Sequence, residues 1–281
     1  MFKKYQERIE EEIRRLPMGP KSRLRDACEY ALLSGGKRLR PMFVLMVAEA
    51  LGKGFDAMAA ALSVEMFHTA SLIADDLPCM DDDDERRGRA SLHRVFEESV
   101  ALLASYTFIA MGYEGIYRNG QAMRAIDPEK ADRATILSLE IATRCAGIFG
   151  ATNGQFLDLF PPDQSQKTMQ KIIEQKTVTL FQISFVFGWL FGGGDSSRLK
   201  EVEQTAYHLG MAFQIGDDIQ DEREDAGSNM ARILGSEAAH VLFQSEMESF
   251  IAGLKSLGLW NSEFEKAAGY LYRLVPAAKV N

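Results

Sequence analysis

Cysteine is scarce in this chain of 281 residues, which contains only Cys28, Cys79 and Cys145. An odd number of widely spaced cysteines does not suit the disulfide framework that stabilises small secreted proteins. The amino-terminal residues are charged and lack the apolar run of a secretory signal. Together these features predict a reducing, cytoplasmic environment.

An excess of positive charge is also missing, because 32 basic residues stand against 40 acidic ones and the formal net charge is −8. Nucleic-acid binding depends on basic side chains that neutralise phosphates, so we expect no nucleic-acid partner. One uncharged run, residues 177–194, is long enough to raise the question of a membrane span. Gln182 and Ser184 interrupt it and glycines end it, so we interpret it as a buried core helix and expect no stable membrane span.

Alternation of apolar and polar residues, which is typical of strands, is not evident, whereas apolar residues recur at helical spacing along most of the chain. Glycine and proline clusters are interpreted as breaks between about ten helices, and they lie at residues 18–20, 52–54, 118–121, 161–162, 192–195 and 225–228. No stretch between them is long enough to be a domain linker. The sequence therefore predicts a single all-α domain over residues 1–281, with a central bundle of long helices.

Acidic residues are concentrated in two distant clusters, the first of which contains Asp75, Asp76 and Asp81. Pro78 disfavours helical geometry in the residue before it, so Asp75 and Asp81 are expected to face each other across a bulge. Two carboxylates ~4 Å apart repel by about 4 kcal/mol at an effective dielectric of about 20, which favours a bound cation. The acids at 82–85 are interpreted as a solvated run, since the spacing of an EF-hand is missing.

The second cluster contains Asp217, Asp218 and Asp221. Asp217 and Asp221 share one face of a helix, with Gln214 one turn earlier, and like charges at this spacing destabilise a bare helix. Hard oxygen ligands suit Mg²⁺, which keeps several waters and takes substrate phosphate oxygens. The pattern favours a diphosphate held between the clusters through Mg²⁺. A solvated acidic helix end, or an acidic scaffold without a ligand, is the alternative.

Basic residues that could hold anions occur in three places. A turn opened by two glycines leads into a helix at residues 35–41 and would present Lys37, Arg40 and backbone N–H groups to phosphate. Arg86 and Arg87 follow the first acidic cluster, where they could also simply balance its charge. Lys176 and Thr177, taken alone, are only a weak signal of an anion-binding site. By spacing alone, a histidine at 68 on an apolar helix is more often a core residue.

Taken together and in this order, five strings resemble the trans-type (head-to-tail) isoprenyl diphosphate synthases. They are GGKRLRP at 35–41, HTASLIADDLPCMDDDDERRGR at 68–89, GQFLDL at 154–159, KT at 176–177 and FQIGDDIQD at 213–221. The spacing between Asp76 and Asp81 resembles bacterial and plant geranylgeranyl or farnesyl diphosphate synthases. The resemblance implies an all-α homodimer of the isoprenoid synthase type, with a deep central cavity in each bundle.

The resemblance also implies a role for each matching residue. Asp75 and Asp81 would bind two Mg²⁺ ions and Asp217 a third, with Asp76, Asp218 and Asp221 in support. The allylic diphosphate would contact Arg86, Lys176, Thr177 and Gln214. Isopentenyl diphosphate would contact Lys37, Arg40, His68 and Arg87. The implied activity is condensation of these two substrates with loss of diphosphate.

Product length is expected to depend on Ala70 and Ser71, because the growing tail in this family points along the helix that carries residues 66–74. A bulky aromatic at Ala70, five residues before Asp75, would stop the product at farnesyl diphosphate. The small residue present leaves room for another isoprene unit, which favours geranylgeranyl over farnesyl diphosphate. A floor residue from a later helix, near Tyr106, could override this expectation.

Two departures from the family pattern keep a second class of function open. The family usually carries two lysines after the second aspartate motif, whereas residues 222–235 contain none. Arg223 or Arg232 would substitute only in part, because arginine and lysine are not equivalent. Ala104-Ser105 stands in place of the expected Gly-Asp and is expected to affect packing. The alternative is a non-catalytic partner subunit that regulates a related synthase.

Overall fold

The computed structural model describes residues 2–220 and 229–275, most of which are helical. The helices are α1 (Phe2–Arg15), α2 (Arg23–Leu32), α3 (Leu39–Leu51), α4 (Met58–Asp75), α5 (Leu92–Phe96), α6 (Glu98–Arg124), α7 (Pro128–Ala146), α8 (Ala151–Leu159), α9 (Gln166–Ile173), α10 (Thr179–Phe191), α11 (Leu199–Gln220), α12 (Met230–Leu234), α13 (Ser236–Ser256) and α14 (Ser262–Leu274). A π-helical turn, Glu174–Val178, joins α9 to α10, and a 3₁₀ turn, Ser196–Arg198, precedes α11. The prediction of an all-α fold is confirmed.

Helix α10 lies at the centre of the bundle and packs against α3, α4, α7 and α11. All of its residues are buried except Gln182. The interpretation of this uncharged segment as a core helix is therefore confirmed. Phe43 and Phe264 lie with Phe185 in one aromatic cluster, in which neighbouring rings are separated by 5.7 to 6.5 Å. Such aromatic packing adds to the stability that apolar burial gives the core.

The predicted break at residues 118–121 is wrong, because α6 continues through it to Arg124. The Asn119 side chain is buried, where its Oδ1 accepts from the Ala60 N–H at 2.9 Å and its Nδ2 donates to the Asp56 carbonyl at 3.0 Å. Gly120 permits a close approach of Thr135, since a Cβ there would lie 2.2 Å from the threonine Oγ1. Tertiary contacts thus override the turn tendency of an Asn-Gly pair.

A short β-hairpin, which the sequence did not predict, follows the first acidic cluster. Strands β1 (Glu85–Arg86) and β2 (Arg89–Ala90) pair antiparallel, and Arg87 and Gly88 form the connecting turn with φ values of 57° and 73°. Two positive φ values are what a two-residue type I′ turn requires. The hairpin turns the Arg87 side chain back toward the loop before α3.

Apolar residues remain exposed on α6 and α7. In the described part of the chain, two helical stretches have the length and composition of a membrane span, Glu98–Arg124 and Pro128–Leu159, and 33% of each apolar window is buried. The second is interrupted between Ala146 and Ala151, where α7 ends and α8 begins. Two such helices are weak evidence of a membrane span. The exposed large side chains include Leu102, Leu103, Tyr106, Ile109, Ile136 and Leu139.

Candidate functional site

Asp75 and Asp81 lie on either side of the turn that ends α4. The Asp81 N–H donates to the Asp75 carbonyl at 2.9 Å, and the Met80 N–H donates to the Leu77 carbonyl at 2.8 Å. This tight turn around Pro78 brings the two backbones together across a bulge, as the sequence predicts. The turn thus brings together two carboxylate residues that a regular helix would place on different faces.

Burial raises the pKa of Asp75 from 3.8 to about 6, while Lys176 opposes the shift and Asp81 adds to it. A carboxyl group with this pKa remains mostly ionised at pH 7, but it does so at an energetic cost. A divalent cation beside it would relieve that cost. The charge state and position of Asp75 therefore fit the predicted role as a Mg²⁺ ligand.

Asp76 faces away from this turn and forms an ion pair with Arg86. The Arg86 Nε donates to Asp76 Oδ1 at 2.8 Å, and its Nη2 donates to Asp83 Oδ2 at 2.7 Å. Burial raises the pKa of Asp76, and the contact with Arg86 opposes this shift. Arg86 therefore does balance the acidic cluster, and it lies close to Asp75 as well. Asp84 pairs with Arg94 at 3.1 Å but is 69% exposed, and Asp82 and Glu85 are exposed as well, so most of the acidic run is solvated as predicted.

Lys176 projects from the π-helical turn toward the first cluster. Its Nζ donates to Asp158 Oδ2 at 2.6 Å and lies 3.9 Å from Asp81 Oδ2. Burial lowers the pKa of Lys176, but Asp158 and then Asp75 outweigh it, so that the pKa is raised overall. The Gln155 Nε2 donates to Asp81 Oδ1 at 3.1 Å. One face of α8 thus holds both Lys176 and Asp81.

The second acidic cluster is linked to the same turn through Thr177. Its Oγ1 donates to Gln214 Oε1 at 2.9 Å, and Gln214 Nε2 donates to Asp218 Oδ1 at 2.8 Å. Asp218 is buried, and its Oδ2 accepts from the Met230 N–H at 2.7 Å, which ties the start of α12 to α11. Asp217 is half-buried one residue earlier. Asp221 and Arg223 lie outside the described residues.

The loop before α3 meets the β-hairpin at a very close approach. The Arg87 Nη1 donates to the Gly35 carbonyl, and a Cβ on Gly36 would lie 2.6 Å from the Arg87 Cζ. The two glycines have φ values of 81° and 125°, which L side chains rarely adopt. Lys37 follows with an exposed side chain. The glycine pair is thus needed both for the turn and for contact with arginine.

Arg40 and His68 lie together on the inner side of this loop. Arg40 Nη1 is 3.3 Å from His68 Nε2, and its guanidinium lies 4.9 Å from the centre of the Phe181 ring. Burial lowers the pKa of Arg40 to about 10, whereas Glu65 and Asp217 oppose the shift. Burial and then Arg40 and Arg87 lower the pKa of His68 well below its usual value, so His68 is neutral at pH 7.

A cavity of about 370 Å³ opens between these basic groups, and its lining includes Lys37, Arg40, His68 and Arg87. Arg40 Nε and His68 Nδ1 are buried there without a hydrogen-bond partner. Buried polar atoms are rarely left unsatisfied, so the cavity is suited to a ligand that accepts hydrogen bonds. All four residues predicted to hold isopentenyl diphosphate are therefore brought together.

No group of three His, Cys, Asp or Glu side chains forms a ready-made metal site in residues 2–220 and 229–275. Mg²⁺ seldom needs one, because it is usually bound through one or two carboxylates, waters and substrate phosphates. Asp75 and Asp81, at the turn that ends α4, and Asp217, near the end of α11, are carboxylates that suit that chemistry. The ligand roles of these residues stay predictions.

The two positions expected to control product length lie one turn above Asp75 on α4. Ala70 is buried against α6, where its carbonyl accepts from Ser105 Oγ at 3.0 Å. Ser71 is half-buried and donates to the His68 carbonyl. Phe67 lies one turn earlier than Ala70 on α4, with its ring 5.2 Å from that of Tyr113. Tyr106 itself is 57% exposed on α6, whereas its neighbour Ser105 is buried against Ala70, so a floor residue near this position stays a prediction.

Several residues near the site escaped the sequence reasoning. Gln155 and Asp158 belong to the GQFLDL string but received no role, and their contacts with Asp81 and Lys176 depend on how α8 packs. Arg38 lies between the predicted ligands Lys37 and Arg40 but was given no role. In the structure its side chain is only 1% exposed. Cys28, Cys79 and Cys145 are all free, as expected.

Comparison with known proteins agrees with the resemblance. Geranylgeranyl pyrophosphate synthase 11 of Arabidopsis thaliana, a chloroplastic protein, is 36% identical over 74% of this chain and 58% of its own length. Farnesyl diphosphate synthase of Geobacillus stearothermophilus is 37% identical over 79% of this chain and 73% of its own length. The chain thus spans about 58% of the plant relative that it matches.

The fold agrees with solved structures in the same way. A farnesyl/geranylfarnesyl (FPP/GFPP) diphosphate synthase from Zymomonas mobilis superposes with a TM-score of 0.81 at 28% identity, covering 98% of this chain and 99% of that one. A family model described as polyprenyl synthetase matches residues 21–236. The match contains both aspartate clusters and the basic cavity between them, and on these grounds the chain belongs to the polyprenyl synthetase family.

Proposed function

We propose that this chain is a Mg²⁺-dependent prenyltransferase that condenses isopentenyl diphosphate with an allylic diphosphate, and that residues 1–281 form one polyprenyl synthetase domain. The observation that carries the proposal is the convergence of three elements on one space. The end of α4, the turn at Lys176-Thr177 and the end of α11 bring acidic groups beside a basic cavity. A metal-bound diphosphate and a second, directly bound diphosphate suit these two environments.

The allylic diphosphate would lie between the acidic clusters. Asp75, Asp81 and Asp217 would hold Mg²⁺, with Asp76, Asp218 and Asp221 in support, and the bound ions would supply positive charge to the departing diphosphate. Lys176 and Arg86 already lie at the first cluster and would add their own charge to the same oxygens. These groups favour cleavage of the allylic C–O bond because they stabilise charge that develops as it breaks.

Isopentenyl diphosphate would occupy the basic cavity, held by Lys37, Arg40, His68 and Arg87. Its double bond would then lie beside the allylic carbocation, so that orientation replaces a random encounter. Thr177 and Gln214 present oxygen atoms that could stabilise the cation. Loss of a proton to the departed diphosphate completes the reaction, and no side-chain nucleophile is needed.

We favour geranylgeranyl diphosphate as the product and farnesyl diphosphate as the alternative. Ala70 and Ser71 are small side chains on α4 one turn before Asp75, and they would leave room for a growing tail to pass. Phe67, one turn earlier on α4, is a bulky side chain whose ring lies 5.2 Å from that of Tyr113. A tail that passes Ala70 would therefore be stopped later than one that meets an aromatic ring at that position.

We also propose that the chain acts as a cytoplasmic homodimer whose subunits meet along α6 and α7. Tyr106 and Ile136 are 57% and 63% exposed, and further apolar side chains extend the same faces. A patch of this kind is typical of an association surface on a soluble protein. Analytical ultracentrifugation of the wild-type chain and a Leu103→Glu/Ile136→Glu variant tests this, and a wild-type monomer contradicts it.

The activity is tested with purified chain, MgCl₂, isopentenyl diphosphate and farnesyl, geranyl or dimethylallyl diphosphate. Chromatography of the products is expected to show geranylgeranyl diphosphate, and EDTA is expected to abolish its formation. Farnesyl diphosphate as the end product supports the alternative. If the chain alone makes no product but alters that of a related synthase, the non-catalytic subunit replaces this proposal.

A further inference from the structure

We propose that Arg38 is a positioning residue of the isopentenyl diphosphate cavity, because it joins α1, the loop before α3 and α4 through one buried guanidinium. The inference rests on the proposed function, in which Lys37, Arg40, His68 and Arg87 hold that substrate. Arg38 itself is expected to make no contact with the diphosphate. Its role is to fix the loop that presents the residues that do.

The guanidinium of Arg38 is fully engaged by protein groups. Its Nη1 donates to Glu65 of α4, its Nε donates to Glu10 of α1 at 2.7 Å, and its Nη2 donates to the Leu32 carbonyl at the end of α2. The side chains of Arg38 and Glu65 are each 1% exposed. A planar fork that reaches acceptors on several elements is a geometry that arginine offers and lysine does not.

The backbone of Arg38 shows the same constraint. Its φ of 50° lies in the left-handed region, and it occupies the position immediately before α3 without capping that helix through its side chain. A residue other than glycine keeps such a conformation when its surroundings hold it there. The three acceptors of the guanidinium supply that hold, so the side chain determines the direction in which the chain enters α3.

Arg38 and Glu65, the two partners of the ion pair, are each close in sequence to predicted ligands. Lys37 precedes Arg38, and Arg40 is the second residue of the helix that begins after it. Glu65 lies one turn before His68 on α4, and both line the cavity. A shift of the Arg38–Glu65 pair would therefore move ligands on both walls at once.

The pair also explains how so many basic groups coexist. Arg38, Arg40 and Arg87 line one cavity together with Lys37, and Glu65 is the acidic residue in that lining. Like charges at close range repel, so a buried carboxylate among them lowers the cost of assembling the cavity. Because Glu65 is paired with Arg38, the Glu65 carboxylate stays in place. It is therefore not free to pair with the basic groups at the cavity opening.

The test compares Arg38→Lys with the wild-type enzyme by isothermal titration of isopentenyl diphosphate and by steady-state kinetics. We expect the dissociation constant and KM for isopentenyl diphosphate to rise by about tenfold or more, as for a lost positioning contact. We expect KM for the allylic diphosphate to change by less than about twofold, and kcat at saturation to be retained. Glu65→Gln provides a second, milder variant if Arg38→Lys does not fold.

A matched control is Arg8→Lys. Arg8 pairs with Glu49 at 2.5 Å and also joins α1 to α3, but both side chains are about 40% exposed and neither lines the isopentenyl diphosphate cavity. The Arg8→Lys substitution is expected to change neither the KM for isopentenyl diphosphate nor the KM for the allylic diphosphate. A purely structural role for Arg38 would lower thermal stability and the active fraction while leaving both KM values unchanged, and that result would overturn the proposal.

Lys37→Ala separates this proposal from the one on which it rests. If Lys37→Ala weakens isopentenyl diphosphate binding and Arg38→Lys does not, Arg38 has no positioning role and the cavity assignment stands. If neither the wild-type protein nor Lys37→Ala binds isopentenyl diphosphate measurably, the assignment of the cavity fails and the role of Arg38 fails with it.

Discussion

The guanidinium of Arg87 occupies the space that a side chain on Gly36 would fill, with its Cζ only 2.6 Å from the position of the missing Cβ. The glycine lies in the loop before α3, and the arginine lies in the turn of the β-hairpin after the first acidic cluster. Two strings about fifty residues apart in sequence therefore meet at one wall of the basic cavity. A substitution at Gly36 therefore tests whether this contact matters for the cavity.

Gly36→Ala is expected to destabilise the protein by about 1–3 kcal/mol and to weaken isopentenyl diphosphate binding. The added methyl group would push Arg87 away, and the φ of 125° is unfavourable for alanine. Thermal unfolding and the KM for isopentenyl diphosphate measure the two effects. Gly19→Ala is the control, because its φ of 79° carries similar strain with nothing within 4 Å of the new Cβ. An equal rise in KM in both variants would contradict the role of the Arg87 contact.

Asp158→Asn is expected to lower kcat/KM for the allylic diphosphate by about tenfold. Asp158 holds the Lys176 amine at 2.6 Å, and without this carboxylate the lysine loses the partner that orients it. Steady-state kinetics with varied allylic substrate provides the measurement. Asp132→Asn, which removes the exposed partner of Arg124, is the control and should be neutral. Wild-type kinetics in Asp158→Asn would mean that Lys176 is positioned without it.

Asp75→Asn is expected to reduce turnover by about 10²–10³-fold while the helical fold is retained. Asp217→Ala, on α11, is expected to have a similar effect. In the absence of Mg²⁺, Asp75→Asn should also be more stable than wild type by roughly 1–2 kcal/mol, since burial disfavours the ionised carboxylate. Turnover assays, circular dichroism and thermal unfolding check these outcomes.

Asp82→Asn is the matched control for the first acidic cluster. Asp82 is exposed and has a φ of 53°, a conformation that asparagine also tolerates. It should leave turnover unchanged. Near-normal rates in Asp75→Asn would reject the metal role of Asp75.

The Mg²⁺ requirement is expected to increase as the pH falls below about 6. The folded protein holds the Asp75 proton up to that pH, whereas the unfolded chain releases it near 3.8. Metal binding needs the carboxylate, so each pH unit below about 6 should weaken apparent Mg²⁺ affinity by up to about tenfold. Titration of activity with MgCl₂ at several pH values measures this.

The same group predicts the pH dependence of stability in the metal-free protein. Between about pH 4 and 6 the folded state binds more protons at Asp75 than the unfolded state does, so this group makes unfolding easier as pH rises. The effect should vanish in Asp75→Asn. If the slope of stability against pH is the same in both proteins over this range, the burial effect at Asp75 is absent.

Ala70→Tyr is expected to shorten the product to farnesyl diphosphate, because the ring would block the path along α4 toward Phe67. Product chromatography with isopentenyl and geranyl diphosphates measures the change. Ala59→Tyr places the same side chain on α4 beside a separate cavity of about 510 Å³ and should leave product length unchanged. An unchanged product in Ala70→Tyr, with the fold intact, would move the length-determining position elsewhere.

The helices follow largely from local sequence. Apolar spacing predicted α4, because burial on one face of a helix is encoded in a period of about 3.6 residues, and the uncharged run at 177–194 predicted the core helix α10. The same reasoning failed at Asn119-Gly120, where hydrogen bonds to α4 and to the segment before it outweigh local turn preference. It also missed the hairpin at Arg86, since two-residue strands carry no periodic signal.

The sequence by itself determined which chemical groups this protein offers and in what order, because strings of acids, arginines and glycines carry their residue types and spacing with them. Only the tertiary structure decided which of these groups meet: Asp81 with Lys176, Thr177 with Gln214, and Arg38 with Glu65. The physical reason is that local spacing fixes neighbours within a turn of helix, whereas contacts between helices depend on how all apolar faces pack together.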